Sequence, residues 1–258
     1  MSSNIIAILT DFGVEEHYNG VMKGVILAIN KNANIVDLVP AARAFSIEDA
    51  SFQLWASYKY FPKGTVFLVV VDPGVGSERQ PIAIKTNNYF FVGPDNGVLY
   101  PAAAEDGIIE VYKITSDKVI LKDRTGTFDG RDIFAPAAAY ISRGESLSFL
   151  GEQTELKVKL EFGSPEILQD GLKAKVLHVD RFGDVVTNIK KDLFERLKCN
   201  SYSIKNHRLS FAKNFESCQG LCLVLGSSGF YEIVAFKQKA ADKLKVSTGQ
   251  TIKIKCIK

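Results

Sequence analysis

The chain begins with short apolar runs separated by amphipathic stretches. Asn4–Leu9 is apolar and β-prone, then breaks at Thr10-Asp11-Phe12-Gly13. Tyr18, Val21, Met22, Val25, Ile26 and Ile29 recur at helical spacing, which predicts a helix with Glu15 and Glu16 in its first turn, where carboxylates suit the dipole. Ile35–Val39 predicts a second strand, and Ser46-Ile47-Glu48-Asp49 a helix start that turns Phe52, Trp55 and Tyr58 inward. Val66–Val71 is apolar without alternation, as suits a strand covered on both faces. Strand–helix–strand–helix–strand is the order of parallel crossovers, so the amino-terminal part reads as an α/β domain.

Beyond Val71 the segments shorten. Ile82–Lys85, Tyr89–Val92 and Ile108–Tyr112 read as mixed or antiparallel strands, with a short helix around Leu99–Ala104. Alanine-rich Ile133–Ile141 reads as helix. Gly163-Ser164-Pro165 reads as a linker and places a boundary near residues 164–170, between an α/β domain at 1–165 and a smaller one at 170–258. The second is strand-rich: Ala174–Val179, Val185–Ile189, Leu221–Leu225, Tyr231–Ala235 and Thr251–Ile257, with helices only at Lys191–Leu197 and Ala240–Leu244. That mix predicts a small β-barrel or sandwich.

Composition narrows the classes. A net charge of +3 with no basic block gives no nucleic-acid footprint, and no apolar run is long enough to span a membrane. Cys199, Cys218, Cys222 and Cys256 lack structural zinc spacing, and no signal-peptide pattern opens the chain, which points to a reduced, cytoplasmic protein without metal.

Chemistry gathers at strand ends. Asp11, Asp37 and Asp72 fall at the ends of the first three predicted strands, on one sheet edge if these are parallel. Asp11 and Asp72 each precede a glycine turn, which lets a ligand approach the backbone. Gly74-x-Gly76-x-x-Arg79 is neither the dinucleotide fingerprint nor a Walker loop, so a nucleoside site fits better than a nucleotide-phosphate site. His17, His178 and His207 form no cluster; His17 sits beside the Asp11 loop and His178 reads as structural. No Gly-x-Ser-x-Gly elbow marks a serine hydrolase.

Five ordered motifs then acquire meaning together: Thr10-Asp11-Phe12-Gly13, Val71-Asp72-Pro73-Gly74-Val75-Gly76, Gly93-Pro94-Asp95-Asn96-Gly97, Thr127-Phe128-x-Gly130-Arg131-Asp132 and Phe182-Gly183-x-x-x-Thr187-Asn188. The set resembles the S-adenosylmethionine (SAM) hydroxide adenosyltransferase family of SAM hydrolases, relatives of fluorinase and chlorinase, over residues 5 to about 255. The resemblance implies a three-layer α/β domain with a largely parallel sheet, a carboxyl-terminal β-barrel and a homotrimer. The adenosyl ligand would lie between the first domain of one subunit and the second of its neighbour, with no cofactor. Asp11 matches the ribose-binding position, Glu16 an acid that meets the methionine ammonium, and Phe45 the aromatic at the methionine end. Asn96 lies in the matching third motif. Asp180, Phe182 and Asp184 match methionine contacts, and Ser227 and Ser228 the adenosyl contacts of the adjacent subunit.

The implied reaction is attack of water on C5′ of SAM, giving adenosine and methionine. Asp72 and Arg79 match two members of an Asp–Arg–His triad that prepares the water. The third position holds Asp129 instead of histidine, a weaker base near neutral pH with a free pKa of about 4 against about 6.5. Asp184 stands where asparagine is usual, and Pro40 where histidine is common. The departure at Asp129 implies a slow or modified hydrolase. Alternatives are a non-catalytic adenosine or SAM binder and a halide-dependent 5′-halo-5′-deoxyadenosine synthase, the latter disfavoured by Gly130.

Overall fold

A computed structural model describes residues 3–197, 199 and 201–257. The chain divides into two compact units, Met1–Glu161 and Phe162–Lys258.

The first unit is built on strands β1 (Ile5–Thr10), β2 (Asn34–Val39), β3 (Val66–Val70), β4 (Pro81–Thr86), β5 (Phe90–Pro94) and β6 (Ile108–Lys113), in the order β2-β1-β3-β5-β4-β6. The β2-β1, β1-β3 and β3-β5 pairs are parallel, whereas β4 runs against both β5 and β6. Helices α1 (Tyr18–Ile29), α2 (Ile47–Ser57), α3 (Tyr100–Asp106) and α4 (Ala135–Ser142) complete the unit.

The apolar run predicted to be buried on both faces divides between two cores. Val66, Leu68 and Val70 join Met22 and Ile26 of α1 and Ala137 and Ala138 of α4; Phe67, Val69 and Val71 join Leu54 of α2 and Ala102 and Ala103 of α3. All six strand-run residues are at most 3% exposed. The period-2 alternation of a strand, applied to an all-apolar sequence, makes the three-layer α/β unit.

Two local expectations are corrected. Helix α1 begins at Tyr18 with His17 as its N-cap, so Glu15 and Glu16 precede it and its first turn carries no acid. The Asn19 amide donates to Gly13 O at 2.9 Å, and Thr10 Oγ1 donates to Asn19 Oδ1 at 2.8 Å. These bonds fold residues 13–17 back as a loop against the end of β1. Asp37 is not a strand-end group: it lies inside β2 opposite Ile8 and pairs with Lys23 at 2.7 Å.

The second unit contains β7 (Glu166–Leu168), β8 (Gly171–Val179), β9 (Val185–Lys190), β10 (Ser201–Ile204), β11 (His207–Phe211), β12 (Leu221–Leu225), β13 (Phe230–Val234) and β14 (Thr251–Ile257), with helices α5 (Asp192–Leu197) and α6 (Ala240–Leu244). The order β14-β10-β11-β12-β13-β9-β8 closes through β14–β8 pairing into a seven-stranded barrel, with β7 appended to β8. Closure removes the sheet edges. Leu172, Val176, Val185, Ile204, Leu223 and Ile254 are among the side chains that fill it.

The cysteines correct the expectation of reduced thiols. Cys199 and Cys256, and Cys218 and Cys222, form disulfides with Cα separations of 5.6 and 5.7 Å. The β10–β14 register sets Cys256 opposite Tyr202, which carries the preceding Cys199 within bonding reach. The β10–β14 ladder decides the Cys199–Cys256 pairing, and a search for zinc spacing does not detect it.

Candidate functional site

Strand β3 ends at Val70, and Asp72 follows in the turn before Gly74. The chain returns through Arg79, whose Nε and Nη2 donate to Asp72 Oδ2 at 2.8 and 2.5 Å. The same Nη2 donates to Asp129 Oδ2 at 2.6 Å. One guanidinium thus holds two carboxylates from separate stretches of the chain, Asp129 lying fifty residues beyond Arg79, and its cation also faces the Phe134 ring at 5.7 Å. Burial acts to lower the pKa of Arg79, but its bonds to Asp72 and Asp129 outweigh that and raise it above the ordinary arginine value. The Asp72 and Asp129 side chains are 5% and 1% exposed.

Asp129 caps a single π-helical turn, Gly130–Phe134, that leads into α4. Such turns occur often at functional sites. Gly130 is required there by space: a Cβ would sit 2.9 Å from the Phe128 ring and 3.2 Å from Met22 Sδ. The turn buries Asp129 against Arg79. Its Oδ1 and that of Asp72 lie buried without a hydrogen-bond partner. Asp129 Oδ1 does have Arg124 Nη2 at 3.2 Å, an ion pair outside hydrogen-bond geometry. A buried acceptor without a donor is costly, and this site holds two of them.

What can enter is set by a cavity of about 390 Å³ whose walls include Asp11, Phe45, Asp72, Thr127, Phe128 and Asp129. Phe12, Tyr18 and Phe128 pack edge to face or tilted along it, with ring centroids 5.2–5.7 Å apart. Asp11 Oδ2 accepts the Phe45 N–H at 2.8 Å, which holds Phe45 at φ 63° with its ring 76% exposed. A flat apolar wall with carboxylates at its rim suits a nucleoside: the rings take the base, and a carboxylate accepts from vicinal hydroxyls.

Of the other residues singled out from sequence in this unit, Glu16 is exposed and does not line the cavity. Asn96 donates to Val71 O at 3.0 Å and accepts from Val98 N–H at 3.1 Å, fixing the chain just before Asp72.

In the second unit, Asp180, Phe182, Asp184 and Ser227 line a cavity of about 780 Å³ together with Glu232 and Phe215. Asp184 N donates to Asp180 Oδ1 at 2.8 Å, and Gly183 N to Asp180 O at 3.0 Å. This tight turn needs Gly183, at φ 83°, because a Cβ there would come within 2.5 Å of Lys239 Cβ. Burial and then Asp180 push the Asp184 carboxyl up to about 6. Burial, then Asp184 and Asp180, push Glu232 up to about 7, with His178 pulling the other way. Ser228 does not line this cavity, and its buried Oγ lacks a hydrogen-bond partner.

Sequence reasoning missed Arg124, Tyr18, Phe128 and Glu232 as site residues. Tyr18 stood in the helical apolar stripe, Phe128 inside a quoted motif, and Glu232 as the one carboxylate in the apolar run Phe230–Ala235. Arg124 gave no signal, being one charge in a polar loop. Among the described residues no group of three or more His, Cys, Asp or Glu side chains is placed to hold a metal ion.

Comparison with known proteins agrees with this geometry. Residues 6–151 match the SAM hydroxide adenosyltransferase N-terminal domain and residues 174–253 its C-terminal domain. The chain is 35% identical to the (R)-S-adenosyl-L-methionine hydrolase of Methanocaldococcus jannaschii, over 97% of this chain and 95% of that one. It is 26% identical to a fluorinase of Nocardia brasiliensis, over 75% and 73% of the two chains. In fold it superimposes on an uncharacterized conserved protein from Thermotoga maritima with a TM-score of 0.88 at 37% identity, covering 98% of this chain and all of the other. This chain belongs to the SAM hydroxide adenosyltransferase family.

Proposed function

We propose that the protein hydrolyses S-adenosyl-L-methionine to adenosine and L-methionine by attack of water on C5′. The observation that carries this reading is the pair of buried carboxylates Asp72 and Asp129, bridged through their Oδ2 atoms by Arg79 on the wall of an aromatic cavity, each with an Oδ1 that makes no hydrogen bond. Curated relatives named as (R)-S-adenosyl-L-methionine hydrolases, at 29–35% identity over at least 96% of this chain, support the same reaction.

The roles follow from the chemistry. A water that donates to Asp72 Oδ1 and Asp129 Oδ1 has a lone pair free to form the C5′–O bond. The C5′–S electron pair returns to sulfur and neutralises the sulfonium, so no acid need protonate the leaving group. The released proton passes to a carboxylate and then to solvent. The site mainly has to align water, C5′ and sulfur and exclude bulk solvent. Asp11 would take the ribose hydroxyls, and Phe12, Tyr18 and Phe128 the adenosyl face. Asp180, Asp184 and Glu232 offer carboxylates to the methionine ammonium, with Phe182, Ser227 and Ser228 beside them in sequence or space. The two half-sites would meet in a homotrimer, which the 76% exposure of both Phe45 and Phe182 supports.

Incubation of the purified protein with SAM should release adenosine and methionine in equal amounts. No adenosine above a heat-inactivated control would refute the reading. Sedimentation of the free protein at monomer mass would refute the trimer.

A further inference from the structure

We infer that Arg124 is a positioning residue for Asp129, a second guanidinium that completes the charge balance histidine would not need. The inference rests on the hydrolase reading above. Asp72 and Asp129 are both nearly inaccessible and share one cation, Arg79, which bonds only the Oδ2 atom of each. Two carboxylates and one guanidinium leave a buried net charge of −1, a costly arrangement unless further paired. The Nη2 of Arg124 lies 3.2 Å from Asp129 Oδ1, the oxygen Arg79 does not reach, and returns the group to neutrality.

Placement makes the role separable from folding. The Arg124 side chain is 41% exposed, against 10% for Arg79. Both border a cavity of about 770 Å³ that also includes Ser77, Thr115, Lys113 and Lys122 and is distinct from the aromatic one. The Arg124 side chain is thus open to solvent, while the carboxylate it serves is buried and borders the aromatic cavity. The ion pair holds Asp129 Oδ1 in direction without engaging it in a hydrogen bond.

The test is a kinetic cycle on the full chain with SAM. Arg124→Ala should lower kcat on the order of tenfold, less than the ~10²–10³ lost with a group at the reacting atoms, and leave KM within about twofold. Arg124→Lys should retain most of the rate, and millimolar guanidinium should restore Arg124→Ala through the open cavity. In an Asp129→His background, Arg124→Ala should have no effect. Wild-type rates in Arg124→Ala, or an equal loss in both backgrounds, would overturn the inference. A wild type that releases no adenosine removes the hydrolase reading and this inference together.

Discussion

Two acidic clusters in this chain are built on opposite electrostatic plans. In the first unit, Asp72 and Asp129 face Arg79 and Arg124, and each charge has a counterpart. In the second, Asp180, Asp184 and Glu232 crowd one cavity, and burial with mutual repulsion lifts Asp184 to about 6 and Glu232 to about 7. Arg181, Lys237 and Lys239 border the same cavity, yet burial and the neighbouring carboxylates still raise both groups. A balanced cluster is held by its ion pairs, and its acceptors without hydrogen bonds suit a neutral donor such as water. An unbalanced one holds protons until a cation displaces them, and SAM brings an ammonium and a sulfonium. The contrast assigns chemistry to the first cluster and recognition of the cation to the second.

The hardest blow to the contrast is to make the first cluster resemble the second. Arg79→Met leaves two nearly buried carboxylates without their shared cation, a change that costs about 3–5 kcal/mol. For a unit of 161 residues this corresponds to a fall in Tm on the order of 10 °C. Adenosine release should drop by more than about 10²-fold. Adding Asp129→Asn should recover part of the Tm, since it removes one of the stranded charges. Calorimetry on both variants checks this, and an unchanged Tm would show that the bridge is not structural.

Asp129 tests the same cluster at its reacting end. Asp129→Asn keeps shape and removes the anion, so kcat should fall about 10²-fold, the lower range for loss of a general base. Asp129→His should raise kcat, up to roughly tenfold, because imidazole is the stronger base near neutral pH. A histidine variant no faster than wild type would mean that the carboxylate, with Arg124, already orients water as well as imidazole can.

The second cluster is tested by pH. Its raised carboxyls bind protons more readily folded than unfolded, from about 4 to about 7. The folded state holds the extra protons in that window, so stability should fall as pH rises through it. Affinity for cationic SAM should move the other way, rising as Asp184 and Glu232 ionise. Glu232→Gln should flatten the thermal profile and weaken SAM several-fold. Uncharged adenosine should bind equally to both proteins at every pH. Calorimetric titration with the two ligands separates these outcomes, and parallel loss of adenosine would place Glu232 elsewhere in recognition.

How far this was legible in the sequence depended on distance along the chain. The run Val66–Val71 disclosed a strand buried on both faces because six apolar residues admit little else. The helix of Tyr18–Ile29 followed from its stripe, yet its start did not, because Asn19 bonds to Gly13 O and turns Glu15 and Glu16 out of the first turn. Strands β10 and β11 escaped notice: they are four and five residues long, pair with each other through a turn at Lys205 with φ 52°, and find their outer partners β14 and β12 only in the assembled barrel. Asp72 and Arg79 were readable as neighbours in sequence. That Arg79 also grips Asp129, that Arg124 meets its other oxygen, and that Cys199 meets Cys256 are consequences of tertiary register.

The smallest expected effect marks the edge of the site. Asp37 was grouped by sequence with Asp11 and Asp72, yet it sits within β2 in an ion pair with Lys23 whose side chains are 41% and 32% exposed. Pairs that open to solvent contribute about 0.2–1 kcal/mol, much of it lost to salt screening. Asp37→Ala should therefore shift Tm by no more than about 4 °C and leave kcat and KM for SAM unchanged. A large rate loss would extend the working edge of the sheet beyond β1 and β3 and make position along that edge, instead of charge balance around Arg79, the feature that selects the catalytic carboxylates.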